Sequence, residues 1–298
     1  MNSFNGNKKL EIIPTILTII TLNIVGFIII YLLDSYLMLN LIKVILVICN
    51  IFYIYHILVW FTVKYHISEN EIRICCLGGM KEIVLNIEDI ESYTAEEGKI
   101  KGIGLSGISS NKFAIGRIAV KNLGTTRMFV TNSSKVIYLK TKNIDDVNYA
   151  ISPKEYKAFE IALKAANVFE RPWTKDYNKS PKLYKEKKFM IPLFITSLII
   201  LIITFAPLIF YILNKLPDII PLVLNASGTV IEVGTDKQFA FSQMIYGLLN
   251  MAVLFCMYYA AHFCAKYDKK AAYRYIYISL FVAITFLYLQ IRLITTIV

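Results

Sequence analysis

Long uninterrupted runs of apolar residues are the dominant pattern of this chain. A helix needs roughly 20 apolar residues to cross the hydrocarbon core of a bilayer, which is about 30 Å thick. Five runs reach that length, and Tyr or Trp side chains lie near several of their ends, where amphipathic rings favour the interface. The predicted spans cover residues 12–33, 38–63, 189–213, 241–265 and 273–294.

The chain changes character between the second and third runs. Charged residues become frequent, and residues 64–67 and 71–76 flank a polar turn at 68–70, which predicts two antiparallel strands. Residues 83–93 predict another strand with a break in its alternation. This pattern indicates a folded, strand-rich domain outside the membrane.

The second half of this domain also reads as short strands. Residues 128–131 and 136–141 flank a polar turn and predict a hairpin, and residues 147–151 predict a last strand after a turn at 143–146. Between the two groups of strands, Gly102, Gly104 and Gly107 are spaced irregularly. Because they lack a strand-to-helix frame, we interpret them as a loop or tight turn rather than a phosphate-binding motif.

A helix is predicted to close the domain. Ser152 is placed as its N-cap, Pro153 as its first residue, and Glu155 can return a hydrogen bond to the cap. The apolar residues that follow are spaced three and four apart and predict one face that lies on a sheet: Tyr156, Phe159 and Leu163. The predicted fold class is therefore an α+β membrane protein with about five transmembrane helices and a cytoplasmic antiparallel β-barrel or sandwich closed by a C-terminal helix.

Composition strengthens the membrane interpretation. The 298-residue chain is 56% hydrophobic and 18% charged, which is more apolar than a soluble domain with a polar surface. Its net charge of +11 comes from Lys and Arg that cluster at the ends of the apolar runs. We therefore expect a lipid bilayer, and no nucleic acid, as the partner of this charge.

The distribution of Lys and Arg predicts the topology. The linker at 171–188 and the segment before the fifth run are basic, whereas the loop at 214–240 is mixed in charge. The positive-inside rule then places the N-terminus in the cytoplasm and the C-terminus outside a bacterial plasma membrane. The predicted domains are an N-terminal hairpin at 1–63, the cytoplasmic domain at 64–170, the basic linker at 171–188 and a three-span domain at 189–298.

The linker supplies candidate contacts to an anionic inner leaflet. Each Lys near such a surface contributes roughly 1 kcal/mol of attraction. The candidates are Lys182, Lys185, Lys187 and Lys188.

The outer loop at 214–240 has its own pattern. Pro217 and Pro221 stiffen it, and residues 225–228 predict a turn. A structured cap between two helices and a contact for a ligand or toxin are both open interpretations. The candidate motif comprises Pro217, Asp218, Pro221, Asn225, Gly228 and Lys237.

Catalytic chemistry has little support in the sequence. The five Cys residues include no CxxC pair, so we expect free thiols in a reducing cytoplasm and no metal or other cofactor. The three His residues, His56, His66 and His262, have no partner at a recognisable spacing, and we expect packed side chains rather than catalytic groups. The prediction is a protein that is not an enzyme.

The first apolar run is too long for a signal peptide and lacks a small-x-small site, so we expect it to be retained.

Four segments carry a resemblance to a known family. They read Lys-Phe-Ala-Ile-Gly at 112–116, Arg-Met-Phe-Val-Thr at 127–131, Val-Ile-Tyr-Leu-Lys-Thr at 136–141 and Tyr-Ala-Ile-Ser-Pro at 149–153. Together they resemble bacterial pleckstrin-homology (PH)-like domains, and in particular those of sublancin-type immunity proteins, which protect a producer from its own bacteriocin. The resemblance covers about a third of the chain and implies a seven-stranded barrel-like sandwich with a helix over one end.

The outer loop carries a second resemblance. Leu-Pro-Asp-Ile-Ile-Pro at 216–221, Asn-Ala-Ser-Gly at 225–228 and Gly-Thr-Asp-Lys at 234–237 are similar to the loop of a domain of unknown function in multi-span bacterial membrane proteins. Those proteins include immunity proteins against the sporulation killing peptide of bacilli. The family usually has a His-Phe-Asn triplet where this chain has Val-Leu-Asn at 223–225, so any role of an imidazole is in doubt.

These resemblances imply immunity to a membrane-active peptide or sensing of envelope stress, with a peptide toxin or a membrane protein as partner. The first alternative is a small-solute or lipid transporter, although the spans carry only neutral polar residues near their middles, among them Gln243, Asn250 and Gln290. The second alternative is a structural scaffold for a membrane partner.

Overall fold

The computed structural model describes residues 2–8, 10–32, 36–142, 147–174, 182–224 and 229–295. The chain forms two compact units, Met1–Asn178 and Lys179–Val298. It is a mixed α+β protein, and five helices of the described residues are long and apolar enough to cross a membrane. This agrees with the five apolar runs of the sequence.

The first unit contains two of these helices, α1 (Ile13–Leu32) and α2 (Tyr36–Thr62). Their facing surfaces are held by the amides of Asn23 and Asn50, which donate to each other's side-chain oxygens at 2.9 Å. Gly26 lets α2 approach, since a Cβ there would lie 2.6 Å from the side chain of Leu46. Small residues at such crossings are typical of helices that pack within membranes.

A four-stranded antiparallel sheet joins this helical hairpin to the rest of the unit. Its order is β1-β2-β3-β4, and β1 precedes α1 whereas β2 follows α2. The bounds of β2 and β3 confirm the predicted strands at 64–67 and 71–76, but β1 has no counterpart in the sequence prediction. The four strands are β1 (Asn2–Asn5), β2 (Lys64–Ile67), β3 (Glu71–Cys76) and β4 (Lys81–Asn86).

A six-stranded sheet forms the remaining described β-structure of the first unit, in the order β5-β9-β10-β8-β7-β6. The predicted hairpin of 128–131 with 136–141 is wrong, because β10 lies between β8 and β9. An all-antiparallel arrangement is also wrong, because β10 runs parallel to β8. Alternation locates a strand but does not indicate its neighbours. The strands are β5 (Ile90–Glu96), β6 (Gly102–Ser109), β7 (Ala114–Val120), β8 (Gly124–Val130), β9 (Val136–Thr141) and β10 (Asn148–Ile151).

The glycines that we interpreted as a loop lie in β6, and that prediction is wrong. Gly107 has a φ of +86° and lies against β7, where a Cβ would sit 2.2 Å from the carbonyl oxygen of Ile115. Glycine is therefore required by the close approach of two strands, not by a turn. With β1 and the extra strands, the described part of this unit has ten strands rather than the expected seven. The predicted turn at 143–146 lies outside the described residues.

The closing helix α3 (Tyr156–Ala165) is present, but its predicted capping box is wrong. The helix begins at Tyr156 with Glu155 at the N-cap position and no side-chain cap. Ser152 is instead buried, and its hydroxyl accepts a hydrogen bond from the backbone N–H of Thr131 at 2.8 Å. The predicted apolar face is confirmed at Phe159 and Leu163, which are both buried.

The main hydrophobic core fills the space between the two sheets and α3. Residues at or next to the ends of α1 and α2 contribute to it, namely Ile12, Val59, Trp60 and Val63. A second cluster lies on the other face of the six-stranded sheet, where the indole N–H of Trp173 donates to the carbonyl of Leu123 at 3.2 Å. The domain and the α1–α2 hairpin therefore share one core.

The second unit is a three-helix bundle with a β-hairpin. Helix α4 contains two prolines, and α5 begins with a capping box between Thr235 and Gln238. The hairpin occupies most of the segment that the sequence predicts as the outer loop. The elements are α4 (Lys187–Ile212), β11 (Ile219–Leu224), β12 (Val230–Thr235), α5 (Asp236–Ala265) and α6 (Lys269–Thr295).

Candidate functional site

A network of hydrogen bonds lies at the junction between the α1–α2 hairpin and the β-domain. The N-terminal strand β1 pairs with β2 from Asn2↔Ile67 to Asn5↔Lys64. Because β1 leads into α1 and β2 follows α2 directly, both ends of the helical hairpin are fixed to the same sheet. A hairpin tethered at both ends moves with the domain rather than on a flexible linker.

The segment after β10 closes this junction. The backbone N–H of Asn7 donates to the carbonyl of Ser152 at 3.0 Å, and that of Lys154 donates to the carbonyl of Asn5 at 2.9 Å. Gly6 and Pro153 form an antiparallel bridge between these two bonds. The Ile-Ser-Pro segment thus binds the N-terminal strand, whereas the sequence suggested that it only starts a helix.

Buried side chains complete the junction. The indole N–H of Trp60, at the end of α2, donates to the carbonyl of Thr131 at 3.2 Å, and the Thr131 hydroxyl donates to the carbonyl of Asn7 at 3.0 Å. Tyr65 is fully buried, and its hydroxyl donates to the carbonyl of Phe129. Burial raises the pKa of the Tyr65 hydroxyl, so the group stays a neutral hydrogen-bonding partner. A satisfied buried network of this kind specifies one arrangement of helix and sheet.

An open cleft of about 710 Å³ lies at the other end of the same sheet, beside the β2–β3 turn. Its charges are mixed in sign, and the Lys142 ammonium donates to the backbone carbonyl of Glu88 at 2.7 Å. Phe169 lines it with about half of its side chain exposed. The cleft is open to water and carries no cluster of one charge sign, so we assign it no ligand.

The predicted outer-loop residues are only partly brought together. Pro217 and Asp218 are exposed and precede β11, and Lys237 is exposed in the first turn of α5. These three lie at one end of the hairpin, since Ile219 pairs with Thr235. Pro221 is instead buried within β11. Asn225 and Gly228 lie outside the described residues.

The candidate inner-leaflet lysines, Lys182, Lys185, Lys187 and Lys188, are all exposed. Glu186, between them, accepts a hydrogen bond from the ammonium of Lys269 at 3.2 Å. The start of α4 and the α5–α6 connection therefore lie at the same end of the second unit. Residues 175–181 of the basic linker lie outside the described residues.

The histidines in the long apolar helices contact the backbone of their own helix. Nδ1 of His56 lies 2.7 Å from the carbonyl of Phe52, and Nδ1 of His262 lies 3.0 Å from the carbonyl of Tyr258. In the described part of the chain, no three His, Cys, Asp or Glu side chains are grouped to hold a metal ion. These positions support packing roles for both imidazoles.

The amides that the sequence places in the spans meet inside the second unit. Pro207 has no N–H, so the carbonyl of Ile203 lacks its usual donor within α4. The side-chain amide of Gln290, in α6, donates to that carbonyl at 2.9 Å and lies 3.4 Å from the side-chain oxygen of Gln243 in α5. Gln290 thus links the three helices at the point where the proline interrupts one of them.

Comparison with known proteins identifies the β-domain and relates the whole chain to another bacterial protein. Residues 63–167 match the model of a family described as a bacterial PH domain. The chain is also 33% identical over 261 residues to an uncharacterized protein of Clostridium acetobutylicum, a match that covers 88% of this chain and 87% of the clostridial one. The chain belongs to the family of this clostridial protein. No solved structure matches it.

The match of residues 63–167 confirms the resemblance to bacterial PH domains and leaves the finer links as predictions. The match reaches beyond the PH domain into the flanking helices, since it covers most of both chains. Apolar helices joined to a bacterial PH domain fit a membrane-associated protein. The clostridial relative is uncharacterized, so the match to it gives no support for immunity to sublancin or to a killing peptide.

Sequence reasoning missed the junction because its parts carry no local signal. β1 has four residues, and only Phe4 among them is buried. The buried hydroxyls of Thr131 and Ser152 look like ordinary turn residues in the sequence. A weak hint was the length of the second apolar run, which continues almost without interruption into β2.

Proposed function

We propose that this protein is a non-enzymatic, multi-pass protein of the bacterial plasma membrane that counters a membrane-active peptide or responds to envelope stress. The observation that carries the proposal is the pairing of β1 with β2, which fixes both ends of the α1–α2 hairpin to the PH domain. A change in the packing of the hairpin is thereby transmitted to the domain core through Trp60 and Val63. The PH domain in this proposal relays or supports the state of the membrane helices.

The strand pairing also supports the proposed topology. A hairpin that crosses the bilayer and returns places the N-terminus and the PH domain on the same side. The positive-inside rule makes that side the cytoplasm. Three further spans then put the C-terminus and the β11–β12 hairpin outside, and the exposed lysines from Lys182 to Lys188 at the anionic inner leaflet.

The β11–β12 hairpin supports a peptide as the outer partner. Among the described residues, β11 and β12 pair only with each other, so both strands have a free edge. Ile219 and Val233 are exposed by 72% and 59%. An extended peptide can add to such an edge through backbone hydrogen bonds and place apolar side chains beside these residues. A membrane protein partner would use the same surface.

Transport of a small solute or lipid is the second candidate, and one feature favours it. The side-chain nitrogen of Gln243 is buried inside the second unit without a hydrogen-bond partner. Neutral polar groups inside a bundle mark transport pathways in many membrane proteins. Flux into proteoliposomes that contain the purified protein tests this candidate directly.

Expression in a susceptible bacterium followed by challenge with a panel of membrane-active peptides tests the main proposal. We expect protection against at least one peptide, and we expect Phe4→Ala to reduce it because Phe4 anchors β1 on Phe159 with ring centroids 5.1 Å apart. Ser3→Ala is the matched control, since Ser3 lies exposed in the same strand. Absence of protection with the protein confirmed in the membrane would exclude immunity.

A further inference from the structure

The β3–β4 loop, residues 77–80, lies at the end of the PH domain that meets α2. The backbone N–H of Leu77 donates to the hydroxyl of Thr62, the last residue of α2, at 2.8 Å. Gly78 and Gly79 have positive φ, and no other atom lies within 4 Å of the positions where their Cβ atoms would be. Leu77 packs against the main core, whereas the tip of the loop, residues 78–80, projects beside the helix.

The first residue of β4 reaches further along α2. The ammonium of Lys81 donates to the hydroxyl of Tyr55, two helical turns before Thr62, which is roughly 10 Å along the helix axis. Helix α2 has 27 residues and is about 40 Å long, whereas the hydrocarbon core is about 30 Å thick. The excess of about 10 Å equals the length of the last two turns, so these turns can lie at the depth of the headgroups with the loop beside them.

The side chains of the loop suit this depth. Met80 is an apolar residue with 91% of its side chain exposed. Lys81 follows it, and only one of the three donors of its ammonium is used by Tyr55. The nearest acidic neighbour on β4, Glu82, is paired with Arg73 at 3.4 Å and so does not neutralise Lys81. An apolar tip beside a cation is the pattern of a segment that lies in a membrane interface.

We propose that the loop tip, residues 78–80, inserts into the leaflet on the PH-domain side, with Met80 at the boundary of the acyl chains and the Lys81 ammonium bound to the phosphate of an anionic phospholipid. This site lies at the end of the domain opposite to the open cleft near Phe169. It rests on the proposed crossing of the membrane by α1 and α2, and the experiment below tests that crossing separately.

Tryptophan fluorescence of the full chain in vesicles of brominated lipid measures the insertion. Bromine quenches only nearby indoles, and the emission of the parent protein is subtracted. We expect the brominated lipid to quench more than half of the emission that the new tryptophan of Met80→Trp adds to that of the parent. Phe169→Trp is the matched control, because Phe169 is also exposed but lies at the other end of the sheet, and we expect it to lose none.

A position in the middle of α1 separates failure of this inference from failure of the proposed membrane protein. Phe27 is 68% exposed, and Phe27→Trp should be strongly quenched if α1 crosses the bilayer. Quenching of Phe27→Trp without quenching of Met80→Trp overturns the loop insertion alone. Absence of quenching at both positions overturns the membrane crossing as well.

To identify the lipid headgroup that Lys81 binds, only one lipid class in the vesicles is brominated at a time. In mixed vesicles, Met80→Trp should be quenched more by brominated phosphatidylglycerol than by the same fraction of brominated phosphatidylcholine. Adding Lys81→Gln should abolish this preference, whereas Lys121→Gln, an exposed lysine in the β7–β8 turn, should preserve it. A preference that survives Lys81→Gln overturns binding of a lipid phosphate by Lys81.

Discussion

Truncation of Phe4 should release the N-terminal strand from the PH domain. Phe4 is 6% exposed, and its ring packs edge-on against the buried ring of Phe159. Phe→Ala substitutions in cores cost about 3–5 kcal/mol, and β1 is a short edge strand that can detach locally, so we expect a value of about 3 kcal/mol. A factor of ten corresponds to about 1.4 kcal/mol, so the local opening constant should rise roughly a hundredfold.

Amide hydrogen exchange of the protein in nanodiscs measures this opening. The reporters are the N–H groups of Asn7 and Lys154, which donate to carbonyls of Ser152 and Asn5 across the junction. Both should exchange roughly a hundredfold faster in Phe4→Ala, because their partners separate when β1 leaves the sheet. Ser3→Ala should change neither rate appreciably. If both amides keep their parental rates in Phe4→Ala, β1 is not held by its side chain and the reasoning about the junction fails.

Three further predictions concern other parts of the chain. Gln290→Leu should destabilise the helical bundle by roughly 1–2 kcal/mol, because it leaves the buried carbonyl of Ile203 without a donor. In a Pro207→Ala background the restored N–H supplies that donor, so thermal denaturation followed by circular dichroism should show a smaller penalty; equal penalties would refute the link. Burial raises the pKa of the Cys76 thiol from 9.0 to about 11, so its stabilising effect is complete below pH 9 and is lost as the pH rises through 11. Denaturant unfolding of Cys76→Ala should therefore show a shallower alkaline decline than the parent, and identical slopes would contradict this. Gly107→Ala should cost about 2 kcal/mol or more, because its Cβ would overlap the opposite strand, and a melting temperature equal to that of the parent would argue against the observed pairing.

The five long apolar helices and the first strands of the PH domain were predictable because their signals are local. A run of apolar residues long enough to cross a bilayer can be recognised in the sequence without knowledge of any tertiary contact. The alternation in β2 and β3 likewise indicated which side chains are buried, and Ile72 and Ile74 are indeed fully buried. The apolar face of α3 followed from the spacing of Phe159 and Leu163.

The candidate sites were less predictable, because exposure and proximity are properties of the fold. The lysines from Lys182 to Lys188 are exposed as a membrane contact requires, yet their basic character alone did not reveal the bond between Glu186 and Lys269. Pro217, Asp218 and Lys237 lie at one end of a hairpin, while Pro221 is buried in a strand. No local feature of the sequence predicts that Pro217 is exposed whereas Pro221 is buried.

The sequence by itself determined the number of long apolar helices, the position of the strand-rich domain and the faces of its clearest strands, since each depends on residues close together along the chain. The tertiary structure alone decided that β1 joins β2 across the whole helical hairpin, and that β10 separates β8 from β9. The same hydroxyl of Ser152 can cap a helix or accept a bond from a distant strand. Burial beside Thr131 selected the second role, and burial is a property of the assembled fold.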